Sequence, residues 1–313
     1  MNPSATVTGS APEPQPALVL VSHGARARLR LADGSEVPAR ATGRDLQFVC
    51  GDRVLCARDA QHGQWQIERL LPRAHALYRT NSRGRAELVA ANLSLLVVVV
   101  APHPPPDLFL VDRYLAAATC AGIEALLLGN KADQDYPSEL RTGLEALAAT
   151  GCATLTVSAR SGAGLEALRA RLAGQTVMFV GQSGVGKSSL LRMLVPGSDA
   201  PVGELLKSDE GRHTTSVSQL YALPGGGALI DSPGVRDFAP ALESLDPRTL
   251  GFSEIAHHAP QCRFADCQHL REPQCAVIAA VAAGAIDARR YESYRRLRRL
   301  REQLQLRVPY SKR

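Results

Sequence analysis

The chain has 313 residues, 45% of them apolar, enough for two or three domains with separate cores. Its longest apolar run, Leu93 to Ala101, matches a buried strand and is far too short for a membrane span, so a transmembrane helix is excluded. The formal net charge is +6, yet residues 289–313 hold ten Lys or Arg against two Glu, which leaves the remaining 288 residues at −2. The positive charge belongs to one segment, pointing either to a polyanionic partner such as nucleic acid or to a solvated helix face.

Residues 1–16, "MNPSATVTGSAPEPQP", are rich in Pro, Ser and Thr and predict a disordered tail rather than an export signal. Seven cysteines without such a signal imply a reducing, cytoplasmic setting. From 17 to 73, short runs such as "ALVLVS", "DRVLCARD" and "QWQIERLL" alternate apolar and polar residues between Gly turns. About five strands in that length suit a small antiparallel barrel of the OB type, a fold used on oligonucleotides, although an SH3-like barrel leaves nearly the same pattern.

From 86 to 241 near-continuous apolar strands (Leu93 to Ala101, Ala125 to Leu128, Thr154 to Val157, Val177 to Val180, Ala228 to Ile230) alternate with helical stretches, as in a parallel sheet covered on both faces. The second of these strands runs into Asn130-Lys131-Ala132-Asp133. Asp133 can accept both N1–H and the exocyclic amino group of guanine, a pairing adenine cannot offer, while Asn130 can donate to the other base edge and the Lys131 stem can cover the ring. Twenty-five residues later, Ser158 and Ala159 follow the next strand; the Ala159 N–H can reach guanine O6 and Ser158 can brace the loop.

"GQSGVGKSS", comprising Gly181, Gln182, Ser183, Gly184, Val185, Gly186, Lys187, Ser188 and Ser189, comes only afterwards, between a strand and a helix. Its glycines let backbone N–H groups wrap phosphates, Lys187 reaches the β and γ oxygens, and the Ser188 hydroxyl ligates Mg²⁺. "RHTT" then offers His213, Thr214 and Thr215: either threonine can contact Mg²⁺ and the γ-phosphate, and His213 can position water. "DSPG" supplies Asp231 for Mg²⁺ and Gly234 for the γ-phosphate. Val235 stands where many GTPases carry a water-orienting Gln, so intrinsic hydrolysis is expected to be slow. All parts of a GTP site are present, but the base loops precede the phosphate loop. That order is a circular permutation, which closely spaced domain termini permit.

Residues 242–313 contain Cys262, Cys267, His269 and Cys275 in a C-x4-C-x-H-x5-C spacing, followed by an Ala- and Arg-rich helical region. Four such ligands fit one structural Zn²⁺, with His257 and His258 as rivals for the fourth position.

The order NKAD, SA, GQSGVGKSS, RHTT, DSPG, then the Cys/His segment, all after a small barrel, resembles the RsgA (YjeQ) family of small-ribosomal-subunit-dependent GTPases from about residue 17 onwards. The resemblance implies an N-terminal OB-fold, a circularly permuted P-loop GTPase domain and a zinc-binding, mostly helical C-terminal domain. It also implies binding to the 30S subunit late in its maturation, contact with 16S rRNA, and stimulated hydrolysis of GTP to GDP and phosphate. A cytoplasmic monomer without membrane contact is expected. The chain departs from the family at Ser94, where an acidic residue is common. Two other readings are a GTP-driven metallochaperone, distinguishable by metal exchange with nucleotide state, and an RNA-binding module with a purely regulatory GTPase, which 30S subunits would not stimulate.

Overall fold

The computed structural model describes residues 13–307 apart from 44–45, 60–61, 82–83, 196, 198–217 and 233–238. His213, Thr214, Thr215, Gly234 and Val235 lie outside the described residues.

Five strands, β1 (Gln15–His23), β2 (Arg26–Leu31), β3 (Glu36–Ala41), β4 (Arg53–Arg58) and β5 (Trp65–Leu70), form the N-terminal barrel. Alternation places Val19, Leu29, Val54, Cys56 and Ile67 inside, all fully buried. The strands run in the order 1-2-3-5-4, with β1 pairing β4 to close the ring and β3 pairing β5 in parallel. This closed five-stranded path is the OB-like arrangement. The buried Asp52 accepts from the Val49 N–H and pairs with the Arg73 guanidinium at 2.7 Å, so this buried carboxylate is satisfied within the barrel and its exit segment.

A hairpin, β6 (Ala76–Thr80) with β7 (Ala86–Ala91), leads into the central sheet. There β8 (Leu95–Val100), β9 (Glu124–Gly129), β10 (Ala153–Thr156), β11 (Thr176–Val180) and β13 (Ala228–Asp231) are parallel, and β12 (Ser218–Ala222) is antiparallel to β13. In space the order is β10-β9-β8-β11-β13-β12, with α2 (Ser138–Ala149) between β9 and β10 in the chain and α3 (Leu165–Leu172) between β10 and β11. All six residues of β8 are buried. Leu96, Val98 and Val100 pack on one face with Tyr114 and Leu127, while Leu95, Val97 and Val99 pack on the other with Leu165, Phe179 and Leu190. The sheet is thus apolar on both sides, as a parallel sheet must be.

The barrel continues this sheet. Val21 and Ser22 of β1 pair with Gln219 and Ser218 of β12, and the Cys50 thiol donates to the Ser218 carbonyl at 3.0 Å. Gly51 (φ +88°) makes the approach possible, since a Cβ there would stand 2.2 Å from the Ala91 carbonyl oxygen and 3.2 Å from Ile230 Cδ1.

The C-terminal segment covers helix α1 (Leu108–Cys120) with α5 (Ser253–His258), α6 (Ala276–Ala282) and α7 (Ala288–Arg307), and Phe252, Ile255, Tyr294 and Leu297 join the core beneath the sheet. Part of the basic charge read from sequence is internal. Arg290 and Arg298 are buried, and Arg298 caps the Pro247 and Arg248 carbonyls at 2.7 Å each. Arg296 and Arg299 remain exposed. Among the described residues no helix is long and apolar enough to cross a membrane.

Candidate functional site

The carboxyl ends of β8, β9, β10, β11 and β13 lie along one edge of the sheet, where α/β proteins bind ligands. The strand feeding the phosphate loop, β11, is flanked by β8, which precedes it in the chain, and β13, which follows. Both base loops come from strands earlier in the chain, so the permuted order closes into one site.

Asn130 is fully buried and joins the three loops. Its Nδ2 donates to the Val185 carbonyl in the phosphate loop at 2.8 Å, and its Oδ1 accepts from the Ala159 N–H at 3.1 Å. The Ala159 amide, expected to reach guanine, therefore bonds Asn130 here. Ser158 Oγ donates to Asp133 Oδ1 at 2.6 Å and accepts the Ser161 N–H at 3.1 Å. The Ser158 bond, with Asp133's own backbone N–H and the Arg160 and Lys131 charges, holds the Asp133 carboxyl below its ordinary value. Asp133 is thus an acceptor at neutral pH, as guanine's two donors require. Lys131 sits in the left-handed region (φ +61°) with its Nζ donating to the His103 carbonyl at 2.5 Å. A pocket of about 220 Å³ lies over Asn130, Lys131, Asp133, Ala159, Gly186 and Ser189.

In the phosphate loop, Lys187 Nζ donates to the Gly181 and Gln182 carbonyls at 2.5 and 2.7 Å, which points it into the loop. Gln182 Oε1 accepts the N–H of Asp107, the residue that caps α1. Ser188 and Asp231 line one small pocket with Lys187. The last residues before helix α4 (Lys187–Leu194) explain the glycine pattern. Gly186 has φ +100°, and a Cβ on it would lie 2.2 Å from Asn130 Nδ2. Gly186→Ala is expected to push the base and phosphate loops apart and weaken GDP binding on the order of 100-fold. A fluorescent GDP titration checks this, and unchanged affinity would mean that Asn130 can step aside at no cost.

The second cluster is Cys262, Cys267, His269 and Cys275, whose ligand atoms all lie within 4.8 Å of one another. A tetrahedral zinc with Zn–S of about 2.3 Å and Zn–N of about 2.0–2.1 Å needs edges of about 3.8 Å (S···S) and about 3.6 Å (S···N). The pair Cys262–Cys275 is at 3.8 Å, and each of these sulfurs is 3.5 Å from His269 Nδ1. The residues fit the ion. His257 is exposed and stacks edge-on against His258; neither rival joins the cluster. Glu272 accepts the N–H groups of Gln268, Leu270 and Arg271. Burial raises its carboxyl, but these amides prevail and hold it at about 2. From α7, Tyr291 and Tyr294 donate to the His269 and Gln268 carbonyls at 2.6 and 2.9 Å. The knuckle is locked to the helix behind it.

Sequence reasoning missed Asp107 and Tyr136, whose contacts hold the phosphate and base loops. Tyr136 left a signal: a lone aromatic three residues after Asp133 in an otherwise polar loop.

The RsgA GTPase family matches residues 70–240. A protein named small ribosomal subunit biogenesis GTPase RsgA from Azotobacter vinelandii is 43% identical over 293 residues, covering 90% of this chain and 84% of its own. Its namesake from Ectopseudomonas mendocina is 46% identical over 255 residues, covering 80% and 74%. Among solved structures, YjeQ from Thermotoga maritima superposes with a TM-score of 0.70 at 27% identity, covering 91% of this chain and 97% of that one. YloQ, described as a circularly permuted GTPase, gives 0.70 at 22% identity over 95% and 97%, a likeness of fold.

Proposed function

The chain belongs to the RsgA GTPase family, and from that premise we propose that it hydrolyses GTP to GDP and phosphate while assisting late maturation of the 30S ribosomal subunit. The observation that carries this reading is the Asn130 amide, bonded at once to Val185 in the phosphate loop and to Ala159 in the second base loop. One side chain thereby ties base recognition to phosphate recognition, as a nucleotide spanning both requires.

In this reading Asp133 takes the two guanine donors, the second Nδ2 proton of Asn130 serves the remaining base edge, the Ala159 N–H turns to that edge from Asn130 Oδ1, and Lys131 covers the ring. The amides of residues 181–189 cradle the phosphates, and Lys187 turns from its carbonyl partners to the β and γ oxygens. Ser188 and Asp231, hard oxygen donors lining one pocket, would hold Mg²⁺. The ion, when bound, neutralises charge developing on the phosphate oxygens. Thr214 or Thr215 and Gly234 sense the γ-phosphate. The Val235 side chain has no polar atom to orient water, so that role falls to His213 or to a group of the subunit. Cys262, Cys267, His269 and Cys275 hold one structural Zn²⁺, whose full set of four protein ligands leaves no open position for chemistry.

The partner is the 30S subunit through 16S rRNA, met by the barrel and by the exposed arginines of α7, with affinity falling steeply as salt rises. The protein acts as a cytoplasmic monomer. The decisive experiment is GTP hydrolysis by the purified chain with and without 30S subunits. Turnover is expected to rise at least about 10-fold, a floor well below the roughly 10³- to 10⁵-fold that a partner-supplied arginine gives other GTPases. Turnover indifferent to the subunit would overturn the proposal.

A further inference from the structure

We infer that Tyr136 is a positioning residue for guanine recognition: its hydroxyl fixes the Asn130–Lys131 peptide and so the spacing of Asn130 and Asp133 about the base. The inference rests on the guanine-nucleotide reading above and names a residue outside the NKAD motif as part of its specificity.

The loop's backbone is pinned on two sides by amides. Asn130 N–H donates to the Val100 carbonyl at 2.8 Å, and Ala132 N–H donates to the Val157 carbonyl at 3.0 Å. Between them lies the peptide that turns the chain into the left-handed conformation of Lys131 (φ +61°), which disfavours an ordinary side chain. The carbonyl of that peptide accepts from Tyr136 Oη at 2.5 Å. Without this donor the peptide could rotate and Lys131 could relax, carrying Asp133 two residues further on out of register.

The neighbouring residues are built around the phenol. Gly129, the last residue of β9, would place a Cβ 3.0 Å from Tyr136 Oη, so the absence of a side chain there lets the hydroxyl reach its acceptor. The ring is half-buried and forms one wall of a cavity of about 370 Å³ with Leu127, Leu144 and Leu155. A phenylalanine can keep that wall. Burial, with a smaller contribution from the Asp133 charge, pushes the phenol up to about 12, so it remains a donor throughout the working range.

The test compares the full-length chain with its Tyr136→Phe variant, titrating each with GDP and with inosine diphosphate, which lacks the exocyclic amino donor. The wild-type arm examines the premise by itself: a chain that binds GDP no better than IDP overturns the guanine reading. In the variant, GDP affinity is expected to fall about 5- to 10-fold, as for a lost hydrogen bond, while IDP affinity falls less and the GDP:IDP ratio narrows. Unchanged GDP affinity would overturn the inference. So would equal weakening of both nucleotides together with a lower melting temperature, since that pattern belongs to general loss of stability.

Discussion

Replacing Asp133 by Asn is expected to lower GDP affinity by about three to four orders of magnitude and to raise affinity for xanthosine diphosphate. The reason lies in the Ser158 bond. The Ser158 hydroxyl donates its one proton to Asp133 Oδ1, since a carboxylate can only accept, and its oxygen takes the Ser161 N–H. An asparagine at 133 that keeps the Ser158 proton turns its oxygen to that hydroxyl, so its amino group faces the base. Guanine presents donors there, and donor meets donor. Xanthine carries a carbonyl at that position and can accept. Competition titrations with GDP and XDP read both changes; a variant that still prefers GDP would remove Asp133 from base recognition.

The parts of this site that could be read from sequence are those in which backbone chemistry demands particular residues at fixed spacing. Gly181, Gly186 and Lys187 announce a phosphate loop because few other sequences let amides wrap an anion, and Cys262 to Cys275 announce a tetrahedral ion. The strands were legible for the same kind of reason: β8 is apolar on both faces, and the barrel strands alternate. The union of the two sheets was not legible. Among the described residues it rests on the pairs Val21 with Gln219 and Ser22 with Ser218, and on Gly51, none of which differs in type from ordinary strand and turn residues. The acceptor roles of backbone carbonyls were equally hidden, since Asn130 O and Val185 O have no signature in side-chain type. Composition also could not say which arginines of α7 are buried. Its arginines divide between two faces, Arg296 and Arg299 exposed and Arg290 and Arg298 inward, because burial beside carboxylates and free carbonyls is decided by tertiary packing rather than by local charge.

That inward face carries the second large effect. Arg290→Met is expected to cost about 3–5 kcal/mol of local stability, the usual result of leaving buried charge without its partner. Arg290 is 4% exposed; its Nη1 meets Asp112 Oδ1 at 2.6 Å, its Nε and Nη2 meet Glu254 at 2.7 and 2.9 Å, and its guanidinium lies over the Phe252 ring at 4.8 Å. Burial opposes the charge, but Glu254 and Asp112 more than offset it and raise the pKa of the guanidinium. Methionine can fill the space yet strands both carboxylates; Arg289, 2.8 Å from Asp112, relieves only one. Hydrogen exchange of the α5 and α7 amides measures the change directly. Opening should become about 100-fold or more frequent, while the barrel amides exchange as before. Adding Glu254→Gln should recover part of the loss by removing one of the stranded charges, and wild-type exchange in the single variant would deny the network any stabilising role. The consequence reaches the nucleotide, because α1 also donates the Asp107 N–H to Gln182 and an Arg113 bond to the Pro240 carbonyl. Loosening α7 from Asp112 therefore frees the helix that steadies the phosphate loop, so GDP should dissociate faster from Arg290→Met although no residue of its pocket has changed.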